Sequence, residues 1–201
     1  MAYILGFFCA DGSMIKNKRG AHFIEFGITD KDLLEKIKKS FGSDHRINTR
    51  RRKGFISYRL QIGSKGMFED LLKLRLQPRK SKRISLPNVP QKYFSHFSRG
   101  YFDGDGSVWC GFQHKNDRRN ATKVLSTRFT SSNRNFLETF GTRLADLIHT
   151  SGNPSILFYS RAYRLGYSSH DSIRLYNFFY SRNPKLYLLR KKKIFEKFMD
   201  R

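Results

Sequence analysis

Two aspartates, Asp11 and Asp105, each end a short segment with small residues and are each followed by a glycine. The segments, residues 4–12 and 98–106, read ILGFFCADG and SRGYFDGDG. They lie 94 residues apart in a chain of 201, which indicates two copies of one unit rather than a solenoid of many short repeats. Two such units are expected to pack around a pseudo-two-fold axis, which would bring Asp11 and Asp105 together.

The predicted positions of these two carboxylates favour the binding of a cation between them. Each segment reads as a helix with its aspartate at the C-terminal end, where the helix dipole disfavours negative charge. Two carboxylates brought together also repel each other. Divalent cations between them would relieve both effects, and hard oxygen ligands suit Mg²⁺. The sequence therefore predicts that Asp11 and Asp105 are metal ligands.

Gly6 and Gly100 occupy the same position in the two segments, one turn into each predicted helix. A missing side chain at such a position lets two helix backbones approach closely. The two helices are therefore expected to cross at these glycines.

Composition points to a nucleic-acid partner. The chain has 40 Lys and Arg against 16 Asp and Glu, a formal net charge of +24, which a polyanion would neutralise. The 19 Phe and 10 Tyr indicate a folded core rather than a disordered basic tail. Two cysteines and six histidines without ligand spacing exclude a disulfide framework and a zinc cluster, and Cys9 is expected to be buried. With no signal peptide and no apolar run of about 20 residues, an intracellular protein without membrane contact is expected.

The first unit reads as helix, hairpin, helix, hairpin, helix. The predicted ranges are a helix over 2–11, a hairpin over 14–28, a helix over 30–41, a hairpin over 45–62 with its turn at 50–54, and a helix over 66–76. Gly12 is expected to adopt a left-handed conformation after the first helix. In the last strand, alternation places Ile56, Tyr58, Leu60 and Ile62 inward and Ser57, Arg59 and Gln61 outward.

The second unit repeats this plan. It has a helix over 93–105, strands near 107–114 and 123–131, a helix over 133–149, a strand through 163–166, and helices over 170–181 and 185–199. The chain is therefore predicted to be an α+β protein with two αββαββα lobes related by a pseudo-two-fold axis. Residues 1–77 form the first lobe, 78–92 a connector and 93–201 the second lobe, with the motif helices at the interface.

The two segments and the repeated plan resemble the LAGLIDADG homing endonucleases of the single-chain, two-motif type. The match is strongest for YFDGDGS at residues 101–107, preceded by Gly100, and good for 4–12, where Cys9 stands in place of an acid of the family name. The resemblance spans essentially the whole chain. It implies a DNA endonuclease that hydrolyses one phosphodiester on each strand across the minor groove and leaves short 3′ overhangs.

The resemblance also implies a metal centre. Asp11 and Asp105 would hold the metals together with Ala10 and Gly104, and each aspartate would help to activate a water. Mg²⁺ is the expected ion, and Mn²⁺ or Ca²⁺ can occupy the same sites.

Basic and polar groups are implied beside the metals. Lys82 resembles the family's active-site lysine, and its counterpart in the second lobe is Lys191 or Arg190. Gln61 matches a polar position that can order water, and the residue matched to it is Gly166. The two half-sites are therefore expected to differ chemically.

The two antiparallel sheets are expected to form saddles that face double-stranded DNA. The candidate base readers on their outward faces are Glu25, Ser57, Arg59, Gln61, Gln113, Ser126, Arg128 and Arg164. The candidate phosphate contacts, placed in turns, are Lys16, Lys18, Arg50, Arg51, Arg52, Lys53, Arg118 and Arg119. A monomer with two unlike sheets would cover a non-palindromic target of about 20 base pairs, or roughly two helical turns.

Three other interpretations fit part of the sequence. An intron RNA maturase of the same fold would keep the basic surface without needing both carboxylates. A transcription regulator built on the same helix pair would usually add a helix-turn-helix, for which no length remains. A basic structural protein, such as a ribosomal one, would not need paired aspartates. The presence of both Asp11 and Asp105 favours the nuclease.

Overall fold

The protein, described by a computed structural model, is defined over residues 1–52, 54–78, 83–114, 119–152 and 155–200. Its elements up to the connector are α1 (Ala2–Asp11), β1 (Gly12–Lys16), β2 (His22–Ile28), α2 (Lys31–Ser40), β3 (Ile47–Arg52), β4 (Phe55–Gly63) and α3 (Lys65–Lys73). The remaining elements are α4 (Gln91–Asp105), β5 (Gly106–Gln113), β6 (Thr122–Ser131), α5 (Arg134–Ile148), β7 (Ile156–Tyr159), β8 (Ala162–Tyr167), α6 (Ser169–Tyr180) and α7 (Leu189–Met199). The described elements thus follow αββαββα twice, with α7 added, and the predicted fold class is confirmed.

The two sheets have the same antiparallel topology. Their strand orders are β1-β2-β4-β3 and β5-β6-β8-β7. Their registers also agree: Glu25 pairs with Ser13 on one side and Gln61 on the other, and Arg128 pairs with Ser107 and Gly166. The repeat seen in the sequence is therefore a repeat of hydrogen-bonded structure.

Side-chain caps fix where several helices begin. Asp30 accepts a hydrogen bond from the backbone N–H of Leu33 at 2.9 Å. Asn133 accepts one from Phe136 at 3.0 Å in the second unit. Each cap satisfies a backbone donor that the helix itself leaves unpaired. The predicted starts of these two helices are confirmed.

Each unit has its own aromatic core. In the first unit Phe26 of β2 lies with its ring centroid 5.3 Å from that of Phe8 in α1. In the second unit Phe129 of β6 lies 5.0 Å from Phe140 of α5. All four rings are buried, so the apolar face of each sheet is covered by its helices.

Packing divides the chain into the compact units Met1–Gly104 and Asp105–Arg201. Helix α4 up to Gly104 belongs to the first of these units, because it lies directly against α1. The boundaries 1–77, 78–92 and 93–201 follow the sequence repeat and stay a prediction.

Several local predictions are wrong. Gly12 has φ −81° and ψ 156°, which is extended backbone that leads straight into β1, and not the left-handed region. A glycine is needed there because a Cβ would collide with the ring of Phe8. Ile56 has the inward parity of its strand but is 46% exposed, since it lies beside the end of the hairpin where Arg52 pairs with Phe55.

The second hairpin and the last helix also differ from expectation. Arg50, Arg51 and Arg52 belong to β3 and pair with β4, so they are strand residues and not turn residues. The last helix begins at Leu189 rather than at residue 185. No helix within the described ranges is both long and apolar enough to cross a membrane.

Candidate functional site

Helices α1 and α4 cross backbone to backbone at their two glycines. A Cβ built on Gly6 would collide with the carbonyl oxygen of Phe97 and lie 2.9 Å from the nitrogen of Tyr101. A Cβ built on Gly100 would collide in the same way with the carbonyl oxygen of Tyr3 and lie 2.9 Å from the nitrogen of Phe7.

The two sets of contacts at this crossing are reciprocal. Each residue of one set stands 94 positions from its counterpart in the other, so Tyr3 corresponds to Phe97 and Phe7 to Tyr101. Reciprocity of this kind is the signature of a two-fold axis. The expected helix crossing is therefore present, and α1 and α4 are related by a local pseudo-dyad.

The crossing continues to the C-terminal ends of the two helices. A Cβ on Gly104 would collide with the Cβ of Ala10 and lie 3.3 Å from Oδ2 of Asp11. Gly104 therefore keeps the end of α4 in contact with the end of α1. Asp11 is exposed at this end, and Asp105 is the residue that follows Gly104 in the chain.

A buried polar cluster locks the same helix pair. Asp103 is 1% exposed, and its Oδ2 accepts a hydrogen bond from the hydroxyl of Tyr3 at 2.6 Å. The guanidinium of Arg99, also buried, lies 5.3 Å from the centroid of the Tyr3 ring. Asp103 therefore has a structural role, and Cys9, its counterpart in α1, is buried as expected.

A buried lysine lies at the start of β5. Lys191 of α7 is 4% exposed, and its Nζ donates a hydrogen bond to the carbonyl oxygen of Gly106 at 2.6 Å. Gly106 is the residue directly after Asp105. Arg190, the alternative basic residue, is exposed. Of the two predicted residues, Lys191 is therefore the one whose side chain contacts the residue next to Asp105.

The residues present fit a divalent metal. The donors at the end of α1 are the exposed carboxylate of Asp11 and the carbonyl groups of a helix terminus, which are the hard oxygens that Mg²⁺ and Ca²⁺ prefer. Across the residues that the structure describes, no group of three or more His, Cys, Asp or Glu side chains is arranged to hold a metal.

The outward face of the first sheet carries a charged network centred on Glu25. The Nε of Arg59 lies 2.7 Å from Oε2 of Glu25, and Nη1 of Arg50 lies 3.7 Å from Oε1. The side-chain amide of Gln61 donates to Oε2 at 3.4 Å. The predicted base readers Glu25, Arg59 and Gln61 thus form one connected group, in which the arginines neutralise the carboxylate.

The arginine-rich strand β3 divides its side chains between two faces. Arg50 pairs with Ser57 and Arg52 with Phe55, so both arginines share the outward face with the predicted readers. Arg51 pairs with Ile56 and lies on the opposite face. Asn48, which pairs with Arg59, also belongs to the outward face. The prediction missed Asn48, although its spacing of two and four residues from Arg50 and Arg52 was a usable signal.

The outward face of the second sheet is arranged differently. Strand pairing places the predicted readers Gln113, Ser126, Arg128 and Arg164 on this one face. The guanidinium of Arg164 lies 4.1 Å from the centroid of the Tyr159 ring. The register puts Gly166 where the first sheet has Gln61, so the second sheet lacks that amide.

The remaining predicted contacts lie in turns or outside the described residues. Lys16, Lys18 and Arg119 are exposed beside turns. Lys53, Lys82 and Arg118 lie outside the described residues.

Similarity in amino-acid sequence to a known family covers the N-terminal part of the chain. Residues 1–74 match a family model described as a LAGLIDADG-like domain. No curated protein matches the chain at a significant level.

Solved structures match nearly the whole chain. The meganuclease I-SmaMI bound to uncleaveable DNA is 16% identical, with a TM-score of 0.66 over 98% of this chain and 88% of that one. The LAGLIDADG meganuclease I-CpaMI bound to uncleaved DNA is 14% identical, with a TM-score of 0.67 over 98% and 89%. The homing endonuclease I-WcaI bound to its DNA recognition sequence is 18% identical, with a TM-score of 0.64 over 96% and 84%. I-SmaMI has also been solved on its target with calcium ions.

These matches confirm the expected resemblance. Residues 1–74 are similar to the LAGLIDADG-like domain, and nearly the full length of the chain has the fold of the solved LAGLIDADG meganucleases.

Proposed function

We propose that this chain, which has the fold of LAGLIDADG meganucleases, is a site-specific double-strand DNA endonuclease. The observation that carries the proposal is the reciprocal glycine crossing of α1 and α4, which ends with Gly104 against Asp11. Charge supports it, because a net +24 suits a DNA backbone. The similarity in fold to a LAGLIDADG meganuclease and a homing endonuclease solved on DNA supports it as well.

In the proposed active site, Asp11 and Asp105 hold divalent metal ions with the help of the carbonyl groups of Ala10 and Gly104. When bound, the metals supply Lewis-acid stabilisation of charge on the attacked phosphate and on the departing 3′ oxygen. The two carboxylates would position the ions, and their negative charges would balance part of the positive charge of the ions. Mg²⁺ is the proposed ion, and the calcium-bound neighbour supports a divalent site.

Lys191 has a charge-balancing role in this proposal. Its ammonium is buried and held against the carbonyl of Gly106, so it is already in place before DNA binds. A fixed cation costs no reorganisation when negative charge develops on the phosphate. We propose Lys82 for the same role on the first side, following the family pattern.

Gln61 would position water in the first half-site. Its amide nitrogen donates to Glu25, which fixes the side chain and leaves the amide oxygen to accept from a water. Gly166 stands at the matching position of the second sheet and offers no such group. Cleavage of the two strands is therefore expected at unequal rates.

The two outward sheet faces would read the DNA in successive major grooves. Two-stranded ribbons fit this groove, and two sheets would cover about 20 base pairs at roughly 10 per turn. The first face presents a neutralised Glu25–Arg59–Gln61 group, and the second presents Gln113, Ser126, Arg128 and Arg164. Since the faces differ, a monomer would recognise a non-palindromic target.

The direct test is cleavage of a randomised duplex library by the purified protein in Mg²⁺, with sequencing of the new ends. We expect one family of targets cut on both strands, with a short 3′ offset, and no cutting when EDTA replaces the metal. Specific duplex binding without cleavage in Mg²⁺ or Mn²⁺ would contradict the nuclease. Selective binding of folded RNA instead of duplex DNA would support a maturase.

A further inference from the structure

The outward face of the second sheet holds an exposed tryptophan that is not among the predicted base readers. Trp109 of β5 is the only tryptophan in the chain and is 50% exposed. It pairs across the strands with Ser126 and lies two residues from Ser107, which pairs with Arg128. Trp109 therefore shares a face with the proposed base readers.

Gly111 makes room for the indole of Trp109. A Cβ on Gly111 would lie 2.5 Å from Cζ2 and 2.9 Å from Cη2 of that ring. The six-membered ring of the indole thus lies over the backbone of Gly111, along β5. A ring held against the sheet in this way offers an apolar surface and is not shaped to act as a wedge between base pairs.

Polar groups surround this surface. Trp109 lines a cleft of about 690 Å³ together with Gln113, Val124, Ser126 and Arg128, at the point where β8 ends and α6 begins. Within the described part of the chain no ion pair involves Arg128. The site therefore combines one free guanidinium, one amide and one flat apolar surface.

The chemistry of the major groove identifies what such a surface can contact. Of the groups that the four bases present there, the 5-methyl of thymine is the apolar one, and the others are hydrogen-bond donors or acceptors. Gln113, Ser126 and Arg128 can form hydrogen bonds with those donors and acceptors. An indole ring can instead make an apolar contact with the methyl group.

We propose that Trp109 is a specificity-determining residue that contacts the 5-methyl group of one thymine in the half of the target read by the second sheet. This inference rests on the proposed function, because it requires a sequence-specific DNA complex. Gly111 is a positioning residue in it, since the ring can occupy its place only when residue 111 has no side chain.

The test removes the methyl group without changing base pairing. Each thymine of the selected target is replaced in turn by deoxyuridine, and the affinity of the intact protein is measured. We expect one position in the second half-site to lose about fourfold, the effect of one buried methylene at about 0.8 kcal/mol. In Trp109→Ala that position should become insensitive to the replacement.

A second variant and a matched control separate positioning from folding. Gly111→Ala should displace the indole and remove the same sensitivity, and the double variant Trp109→Ala/Gly111→Ala should lose no more than either single one. Phe112→Ala is the control, because Phe112 is 72% exposed on the same strand but on the opposite face. It should keep the full response to deoxyuridine.

Three results would overturn the inference, and they differ in whether they also affect the endonuclease proposal. Specific binding with no deoxyuridine-sensitive position, or with a sensitivity that survives Trp109→Ala, removes the role of Trp109 and leaves the endonuclease proposal intact. Absence of any sequence-specific duplex binding removes both.

Discussion

At the scale of single residues, two aspartates from the two copies of the motif differ in their exposure to solvent. Asp103 is buried and accepts a hydrogen bond from Tyr3, whereas Asp11 is exposed at the end of its helix. The difference follows from helical spacing, which turns Asp103 toward α1 and leaves the last residue of each motif helix at the end of the crossing. Residues of the second kind are the proposed metal ligands.

Replacing either proposed metal ligand should abolish cleavage and spare binding. Asp11→Asn and Asp105→Asn keep the size of the side chain but remove its charge, and we expect single-turnover cleavage to fall by at least about 10²–10³-fold. Affinity for the target, measured in Ca²⁺, should remain close to that of the unmodified protein. Asp44→Asn changes an exposed carboxylate elsewhere and is the control. Undiminished cutting by Asp105→Asn would exclude its proposed role.

Lys191 and Arg190 are adjacent basic residues, of which the first is buried and the second is exposed, so their substitutions can be compared directly. Lys191→Met preserves much of the buried chain length and should slow the chemical step more than it weakens binding, because it removes a fixed charge near the phosphate. Arg190→Met should change only salt-dependent affinity. Single-turnover rates and equilibrium binding, measured side by side, distinguish these effects. A pure affinity loss in Lys191→Met would reduce Lys191 to a phosphate contact.

Lys82 can be examined in the same assay. Lys82→Ala should also slow cleavage more than binding if the family pattern applies to it. The opposite balance would mean that Lys82 contacts the DNA backbone without assisting the reaction.

At the scale of elements, the crossing of α1 and α4 depends on the absence of two side chains. Gly6 and Gly100 each bring a backbone carbonyl of the other helix to where a Cβ would stand. Backbone atoms cannot move aside as a flexible side chain can. The pair of helices is therefore intolerant of even one added methyl group.

Alanine at these glycines should destabilise the protein. We expect Gly6→Ala and Gly100→Ala each to lower the free energy of unfolding by at least about 3 kcal/mol, the upper range for overpacking. Gly66→Ala is the matched control, since Gly66 lies in helix α3 with no atom near its missing Cβ. It should instead stabilise the protein, by about 1 kcal/mol or less. Urea unfolding of the three variants gives the comparison, and equal stabilities would refute the close crossing.

Much of this element plan could be predicted from the sequence, because alternation and helical spacing report burial directly. Ile24, Phe26 and Ile28 are buried as alternation predicts, and Asp30 caps its helix. Strand β3 was harder, because Arg50, Arg51 and Arg52 are all exposed and show no apolar alternation that could separate a strand from a turn.

At the candidate site, the sequence predicted the residues that occur in both copies of the repeat and not the others. The aspartates and glycines were found because each occurs twice at one spacing. Trp109 was missed because position 15 of the first unit holds Ile, so the repeat gives no second example. Gly12 was assigned a conformational role because the sequence does not show that Phe8 lies beside it.

At the scale of the whole molecule, charge is the dominant property. A net +24 on 201 residues is an unusually large positive excess, and several of its members are exposed on or beside the sheets. Such a surface attracts any nucleic acid over a distance of about one Debye length. In the proposed function, specificity comes from the shorter-range contacts of the sheet faces.

Affinity for the target should therefore fall steeply with salt. If the protein neutralises about 6–10 phosphates, it should lose about 10³–10⁵ in affinity between about 50 and 200 mM salt, because each phosphate contact releases counterions. Fluorescence anisotropy on the selected target and on a scrambled duplex of equal length measures both slopes. A change of less than about tenfold over this range would contradict a long backbone interface.

The glycine crossing also determines which sequence differences the helix pair can accept. The crossing is made by peptide groups, so it requires glycine at positions 6 and 100 but does not depend on which side chains the contacting residues carry. Cys9 and Asp103, which stand 94 residues apart at matched positions, are both buried although one is apolar and the other acidic. The two motif segments can therefore differ in sequence while the backbone contact between their helices stays the same.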